Sequence, residues 1–301
     1  MRHHYVPQFY LRHWAAEDGR LWRYRREPSG RVSERPVGTR STAYEPDLYA
    51  VLDAGEIRAQ YDPHVIETKF FGQVDNDGAP VLKKLSESEP PALDDAERTA
   101  WSLFMNSLIE RGPTALAGRD AVAPAVAAQT LDKLFSMSGT TPEGRERLER
   151  IIARIDPVQM ARNSVREFMV GEIRDPKVIG YLKSLAWVVI PREPGSHPFI
   201  TTDAPLLVNA GEGSRPISIL SMALSPKKLL FVYPSQWAMN DELRTLIGNL
   251  VYGHDLLLLR AGCTCAYSSQ RIEDNARVGL RKAVYRALES DKPFLRDAEQ
   301  E

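Results

Sequence analysis

Hydrophobic and polar positions alternate along Arg20-Leu21-Trp22-Arg23-Tyr24-Arg25 and again at Arg31-Val32-Ser33, on either side of Pro28-Ser29-Gly30. A period of two flanking a Pro/Gly turn predicts a β-hairpin. Glu45-Pro46-Asp47-Leu48-Tyr49-Ala50-Val51 opens with turn chemistry and is expected to end in a short strand. From about Pro63 the period becomes helical, with Val65, Ile66, Phe70 and Phe71 on one stripe. The acidic, proline-containing run Ser86-Glu87-Ser88-Glu89-Pro90-Pro91 closes that helix as a surface linker. Asp94-Asp95 opens an amphipathic helix through Trp101, Phe104, Met105, Leu108 and Ile109, which Gly112-Pro113 stops. Asp120 to Met137 reads as an Ala-rich helix. Thr141-Pro142-Glu143 then supplies a capping hydroxyl, a first-turn proline and an early acid. Helix continues to about Arg174 with a break at Asp156-Pro157, and Lys177 to Leu185 forms a further short one.

Beyond Leu185 the apolar runs shorten and become β-branched or aromatic. Trp187-Val188-Val189-Ile190, Phe199-Ile200-Thr201, Ile217-Ser218-Ile219-Leu220 and Leu229-Leu230-Phe231-Val232 read as strands of a core sheet. Helix returns from Asp241 to about Ala261, Thr264 to Ser268 is a strand, and Ile272 to Leu288 a closing amphipathic helix. The last dozen residues are charged and expected to be loose. The predicted fold is α+β: an N-terminal β-hairpin region, a mainly helical middle, and a C-terminal antiparallel or mixed sheet with flanking helices. Strands that run together instead of alternating with helices disfavour a doubly wound sheet. We expect a single α+β domain over 1–301, with a helical subdomain at about 92–185.

Composition narrows the class. The chain has 301 residues, 43% of them hydrophobic and 26% charged, which is ordinary for a globular protein. No apolar stretch reaches the roughly 18 residues of a transmembrane helix, and no secretory leader pattern opens the chain, so no membrane partner and a cytoplasmic location are expected. A net charge of −1 argues against nucleic acid held by bulk electrostatics, although balanced totals can conceal a local basic groove. Cys263 and Cys265 sit one residue apart, which points them to opposite faces of a strand, so they read as free thiols suited to a reducing compartment.

Candidate chemistry concentrates at the amino-terminal segment Arg2-His3-His4-Tyr5-Val6-Pro7-Gln8-Phe9-Tyr10-Leu11-Arg12-His13-Trp14, which holds three of the six histidines. An imidazole can exchange a proton or bind a metal near neutral pH. In extended chain His3 and His4 face opposite ways, so one is expected in the site and the other on backbone or solvent. Asp203, between hydroxyls and a proline in Thr201-Thr202-Asp203-Ala204-Pro205, either orients a histidine or binds a divalent cation, or else closes an Asx-turn. Glu67 lies beside buried-looking Ile66 and Phe70. Arg111 ends an apolar helix, where its charge suits the helix dipole, pairs with Glu67 or clamps a phosphate or carboxylate. Asn249, polar in an apolar helical run, is either a core hydrogen-bonding hub or a site ligand. His64, His197 and His254 have no supporting constellation. The phosphate-loop, dinucleotide, serine-esterase and zincin signatures and a paired C-x-x-C are absent.

The opening block His3-His4-Tyr5-Val6-Pro7-Gln8-Phe9-Tyr10-Leu11-Arg12 closely resembles the signature of the microbial family called domain of unknown function 4238. Ile66-Glu67 resembles the family's glutamate-bearing helix, Glu110-Arg111-Gly112-Pro113 its arginine turn, and Phe199-Ile200-Thr201-Thr202-Asp203-Ala204-Pro205 its strand-Thr-Ser-Asp-x-Pro block. Ala223-Leu224-Ser225-Pro226 and Asn249 match later blocks. Thr202 stands for the usual Ser, Ala223 for a Pro and Gly112 for a Thr, and no candidate acid or base is lost. The family has no assigned activity.

Residue chemistry therefore carries the functional expectation. His3, His4, Glu67, Arg111 and Asp203 are the expected catalytic set, Tyr5, Gln8, Thr202 and Asn249 the substrate-binding set, and Asp203 and Glu67 the metal ligands. Carboxylates with His and Arg fit metal-assisted phosphodiester hydrolysis. The reading is a nuclease-like hydrolase in defence or toxin biology, assisted by Mg2+ or Mn2+, without a nucleotide or flavin cofactor, reaching nucleic acid through a local groove. The alternative is a non-catalytic binding module whose polar cluster is a structural network.

Overall fold

The computed structural model describes residues 1–59, 62–87, 92–138, 141–209, 219–237, 239–273 and 280–289. Among these residues all strand pairs are antiparallel and form three sheets. The alternating run forms β2 (Arg20–Arg26), paired in hairpin register with β3 (Val32–Gly38). A short ribbon joins β1 (Arg2–His4) to β4 (Tyr44–Pro46), with His3 opposite Glu45 and His4 opposite Tyr44. The strand expected near Val51 falls instead at Tyr44–Pro46, because β1 supplies its hydrogen-bonding edge there. Asp47 to Ala50 then turn, sending Tyr49 into the core.

The middle of the chain is helical. A wide π-helical turn, Ile66–Phe71, leads into α2 (Gly72–Glu87), the Gly72 amide reaching back five residues to the Glu67 carbonyl. It is preceded by α1 (Gln8–Leu11) and followed by α3 (Asp95–Glu110), α4 (Pro113–Ser138), α5 (Pro142–Ile152), α6 (Pro157–Ile173) and α7 (Pro176–Ser184). Local chemistry sets these ends. Asp94 and Glu97 form a reciprocal capping box, and Thr141, Asp156 and Asp175 each accept a backbone N–H in the first turn of their helices.

The third sheet runs β5 (Ala186–Pro191), β9 (Lys228–Tyr233), β8 (Ile219–Ser225), β7 (Leu206–Asn209). Its central strands are buried on both faces, one against the main core with α2, the other against Leu243, Ile247 and Leu250 of α8 (Asp241–Arg260). The edge strand β7, short and half-exposed, is not among the expected strands, although Leu206-Leu207-Val208 is an apolar run. Four expectations fall wholly or partly outside the described residues: the linker at 88–91, the strand start at 217–218, the first part of the closing helix at 274–279, and the loose last dozen. The closing helix is described as α9 (Leu280–Glu289).

One pairing decides where a site can form. β10 (Cys265–Ser268) lies between β2 and β6 (Thr201–Thr202), giving a sheet of order β3-β2-β10-β6. The amino-terminal hairpin is thus continued by strands from the far end of the chain. Directly opposed residues share a face, so Tyr24 and Ala266 lie together under α9 and Leu259. Arg23 and Tyr267, with Arg25 and Cys265, present the other face toward the β1–β4 ribbon and the α3–α4 turn. Among the described residues no helix is long and apolar enough to cross a membrane.

Candidate functional site

Three consecutive residues at the amino terminus reach three different polar neighbourhoods. His3 is fully buried and stacks on Tyr49, whose backbone N–H donates to its Nδ1 at 2.9 Å. That bond leaves the ring proton on Nε2, which donates to Nδ1 of His64 at 3.1 Å. Asp47 lies 3.8 Å from His64 and receives the amino-terminal ammonium. Burial, then the nearby His64, lowers the His3 pKa from 6.5 to about 4, so the ring is neutral. The donor atoms of His3, Asp47 and His64 lie within 4.8 Å of one another, a span one ion could bridge. A ligating imidazole nitrogen needs a free lone pair, however, and the Tyr49 amide commits His3 to a protonated Nε2. As arranged, the trio is a hydrogen-bond chain.

His4 turns the other way. Its backbone N–H donates to Glu67 Oε1 at 3.2 Å, while its Nε2 and Glu67 Oε2 are buried without hydrogen-bond partners. Burial raises the Glu67 pKa from 4.5 to about 7, outweighing the His4 amide and the charge of Arg111. Arg111 is fully buried between the rings of Phe71 and Phe104, its Nη1 2.9 Å from Asp75. Tyr49 donates its hydroxyl to the Arg111 carbonyl at 2.6 Å, tying the His3 neighbourhood to this one. Arg111, Asp75, Glu67 and His4 form an interior charge network. Burial lowers the His4 pKa and raises that of Asp75.

Tyr5 opens onto a cavity of about 790 Å³, a size suited to a small ligand or part of a larger one. Asp203 lines the same cavity, accepting from the Thr264 amide at 2.9 and 3.1 Å and from the Thr264 hydroxyl. Burial raises the Asp203 pKa against those hydrogen bonds. Burial, then the Asp203 charge, raises Tyr5 far above its ordinary 10, so the phenol stays protonated. The neighbouring thiols are also protonated: burial lifts Cys265 to about 11 and Cys263 well above 9, and both are free. Arg23 lines this cavity at 4% exposure, its Nε and Nη2 without hydrogen-bond partners.

Residues 2–247 match the model of the family described as protein of unknown function DUF4238. The chain belongs to that family. No curated protein and no solved structure matches it. Three of the blocks that carry the family resemblance converge on the cavity, through Tyr5, through Gly112 and Pro113, and through Asp203 and Ala204.

The expected site residues are therefore distributed. His4, Glu67 and Arg111 come together in the interior, His3 beside them through Tyr49, and Asp203 and Tyr5 on the cavity wall. The expected metal pair is not drawn into one cage: among the described residues neither Asp203 nor Glu67 joins the His3–Asp47–His64 group. Thr202 closes a turn, accepting from the Ala204 amide and donating to its carbonyl. Asn249 is turned outward on α8, since the buried stripe of that helix runs through Leu243, His254 and Leu258. Gln8 begins α1, half-buried. His64 and Asp47 join His3 only through tertiary folding, and Asp75 and Thr264 carried no distinguishing pattern. The alternating basic residues of β2 did signal Arg23, as strand patterning alone.

Proposed function

We propose that the chain is a hydrolase whose active centre is this cavity, with Asp203 as the acid–base group and phosphodiesters of nucleic acid as substrate. The observation that carries the reading is Asp203 itself, a carboxylate fixed by Thr264, raised in pKa by burial, and facing the same volume as the protonated Tyr5 phenol. A carboxylate so placed accepts a proton from an attacking water as its oxygen bonds to phosphorus, and returns it to the oxygen that leaves as the ester P–O bond breaks. Tyr5 donates a hydrogen bond to the negative charge developing on the phosphoryl oxygens. A Mg2+ or Mn2+ ion, if bound, would be held by Asp203 together with the substrate phosphate and would supply charge stabilisation to the phosphoryl oxygens. Glu67 is a poor cation ligand, since its carboxyl keeps its proton up to about pH 7. Cleavage of nucleic acid would suit a toxin or defence protein of the cytoplasm, and that setting is part of the proposal.

The test incubates purified protein with DNA, RNA and tRNA, with and without Mg2+ or Mn2+, beside His3→Ala, His4→Ala and Asp203→Asn. Loss of general acid–base help costs on the order of 10²–10⁴ in rate, and Asp203→Asn is expected to show it. If no substrate is cut under any condition, or Asp203→Asn cuts at the wild-type rate, the hydrolase reading is wrong. The second reading, a module that binds without turnover, is favoured by the enclosed His4–Glu67–Asp75–Arg111 network, which can rigidify the fold with no chemical role.

A further inference from the structure

We infer that the cavity contains a phosphate subsite formed by Arg23 and by the amino terminus of α4. The inference takes the cavity as the ligand site from the reading above, and does not require that the ligand be cleaved.

The first observation is the condition of Arg23. A guanidinium cannot shed its charge at any physiological pH, and burying one without an acidic partner is costly. Arg23 is 4% exposed, its Nε and Nη2 have no hydrogen-bond partner, and no carboxylate pairs with it among the described residues. It lines the cavity, so the charge it leaves uncompensated is directed at whatever enters there. Arg25, two residues along β2 and therefore on the same face, stands exposed at the same wall.

The second observation is independent of the first. Pro113, Thr114 and Ala115, the first turn of the 26-residue helix α4, also line the cavity. That turn contains no acidic residue. Pro113 has no N–H and the Leu116 amide bonds the Gly112 carbonyl, so the amides of Thr114 and Ala115 are the ones without an intrahelical acceptor, and they carry the positive end of the helix dipole. Toward a ligand the wall offers Arg23, Arg25 and the helix terminus, against the two carboxylates Glu45 and Asp203. Asp203 is already engaged by Thr264, and Glu45 is exposed. A carboxylate ligand would bring one charge to balance the excess. A phosphomonoester, the terminal group of a cleaved or 5′-phosphorylated strand, brings about −1.5 to −2 at neutral pH, with three acceptor oxygens, and fits it better than a carboxylate or an internal phosphodiester.

Calorimetric titration with inorganic phosphate tests this, with acetate as the single-charge control and a nucleoside monophosphate beside a 5′-phosphorylated oligonucleotide to separate the two sources of the group. We expect wild-type protein to bind phosphate and the phosphorylated ligands, and acetate at least about tenfold more weakly. Arg23→Met should weaken phosphate binding about tenfold or more, and Arg25→Met severalfold. Ala115→Glu places a carboxylate in the first turn of α4, which favours the helix, so a weakening there cannot be ascribed to unfolding. The titration runs to about 10 mM phosphate, roughly tenfold above the upper end of ordinary substrate constants. Wild-type protein that takes up no phosphate over that range, or Arg23→Met and Ala115→Glu proteins that bind it as wild type does, would overturn the subsite. Phosphate binding by a wild-type protein that cuts no nucleic acid would sustain the subsite and sink only the hydrolase reading.

Discussion

Arg111 and Arg23 are both withdrawn from water, at 0% and 4% exposure, and meet the cost of buried charge in opposite ways. Arg111 pairs its Nη1 with Asp75 and lies against two phenyl rings, although its Nε and Nη2 are as unpartnered as those of Arg23. The other deeply placed arginines follow the same rule, Arg166 on Asp120 and Arg192 on Asp255. Arg23 departs from it and faces a cavity. A cation whose partner is built into the chain serves the fold, whereas one left without a partner keeps its field for a ligand. The arginine that the sequence nominated for the site, Arg111, is the one of the two whose charge is paired within the chain.

The most direct challenge to that contrast is to replace each arginine with methionine and measure urea unfolding. Arg111→Met leaves the partly exposed Asp75 without its partner and should cost about 1–3 kcal/mol. Arg23→Met removes a charge that has no partner to strand, so its stability should stay within about 1 kcal/mol of wild type or rise. Equal losses in the two variants would mean that Arg23 has a structural role and that the two arginines do not differ in kind.

Much of the fold could be read locally because its determinants are local. The β2–β3 hairpin follows from alternation around Pro28-Ser29-Gly30, and α3 from the Asp94–Glu97 capping box. What could not be read was pairing between distant segments. Nothing near Arg20–Arg26 announces that β10 will continue that sheet, and without β10 and the β1–β4 ribbon Arg23 is one more polar position on a hairpin. The same limit hid His64, which meets His3 and Asp47 only after the chain folds back. The outward placement of Asn249 was illegible for a different reason: in so apolar a helix as α8, sequence period does not settle which side faces water. His3, His4, Glu67, Arg111 and Asp203 were found as reactive types, but their division between an interior network and a cavity wall belongs to tertiary structure.

The interior network makes a pH-dependent prediction. The folded state holds the Glu67 proton more tightly than the unfolded chain, with a pKa of about 7 against 4.5. Ionising Glu67 therefore erodes stability as pH rises from about 4.5 to about 7, and the loss is complete and flat above that. Glu67→Gln imitates the protonated form, so relative to wild type it should gain stability across that window, by roughly 1–3 kcal/mol at about pH 8. Denaturation midpoints at about pH 5 and about pH 8, on either side of most of that window, measure it. A variant that tracks wild type at both values would show that Glu67 is no more buried in effect than an ordinary surface acid.

The smallest expected effect concerns the His3 chain. Burial is the first cause of its lowered pKa and the charge of His64 the second. A base with a lowered folded pKa binds fewer protons than the unfolded chain, so stability falls as pH drops from 6.5 towards about 4. His64→Ala removes the second cause and leaves the first. The His3 pKa should move upward yet stay below 6.5. Stability near neutral pH should change by no more than about 1 kcal/mol, because His64 is partly exposed. The Tyr49 amide continues to hold Nδ1 as an acceptor, so nitrogen NMR should still find the His3 proton on Nε2. A proton found on Nδ1 in either protein would free Nε2 as a metal ligand. The His3–Asp47–His64 trio would then be a cation cage, and the amino-terminal segment would serve two ligand sites instead of one.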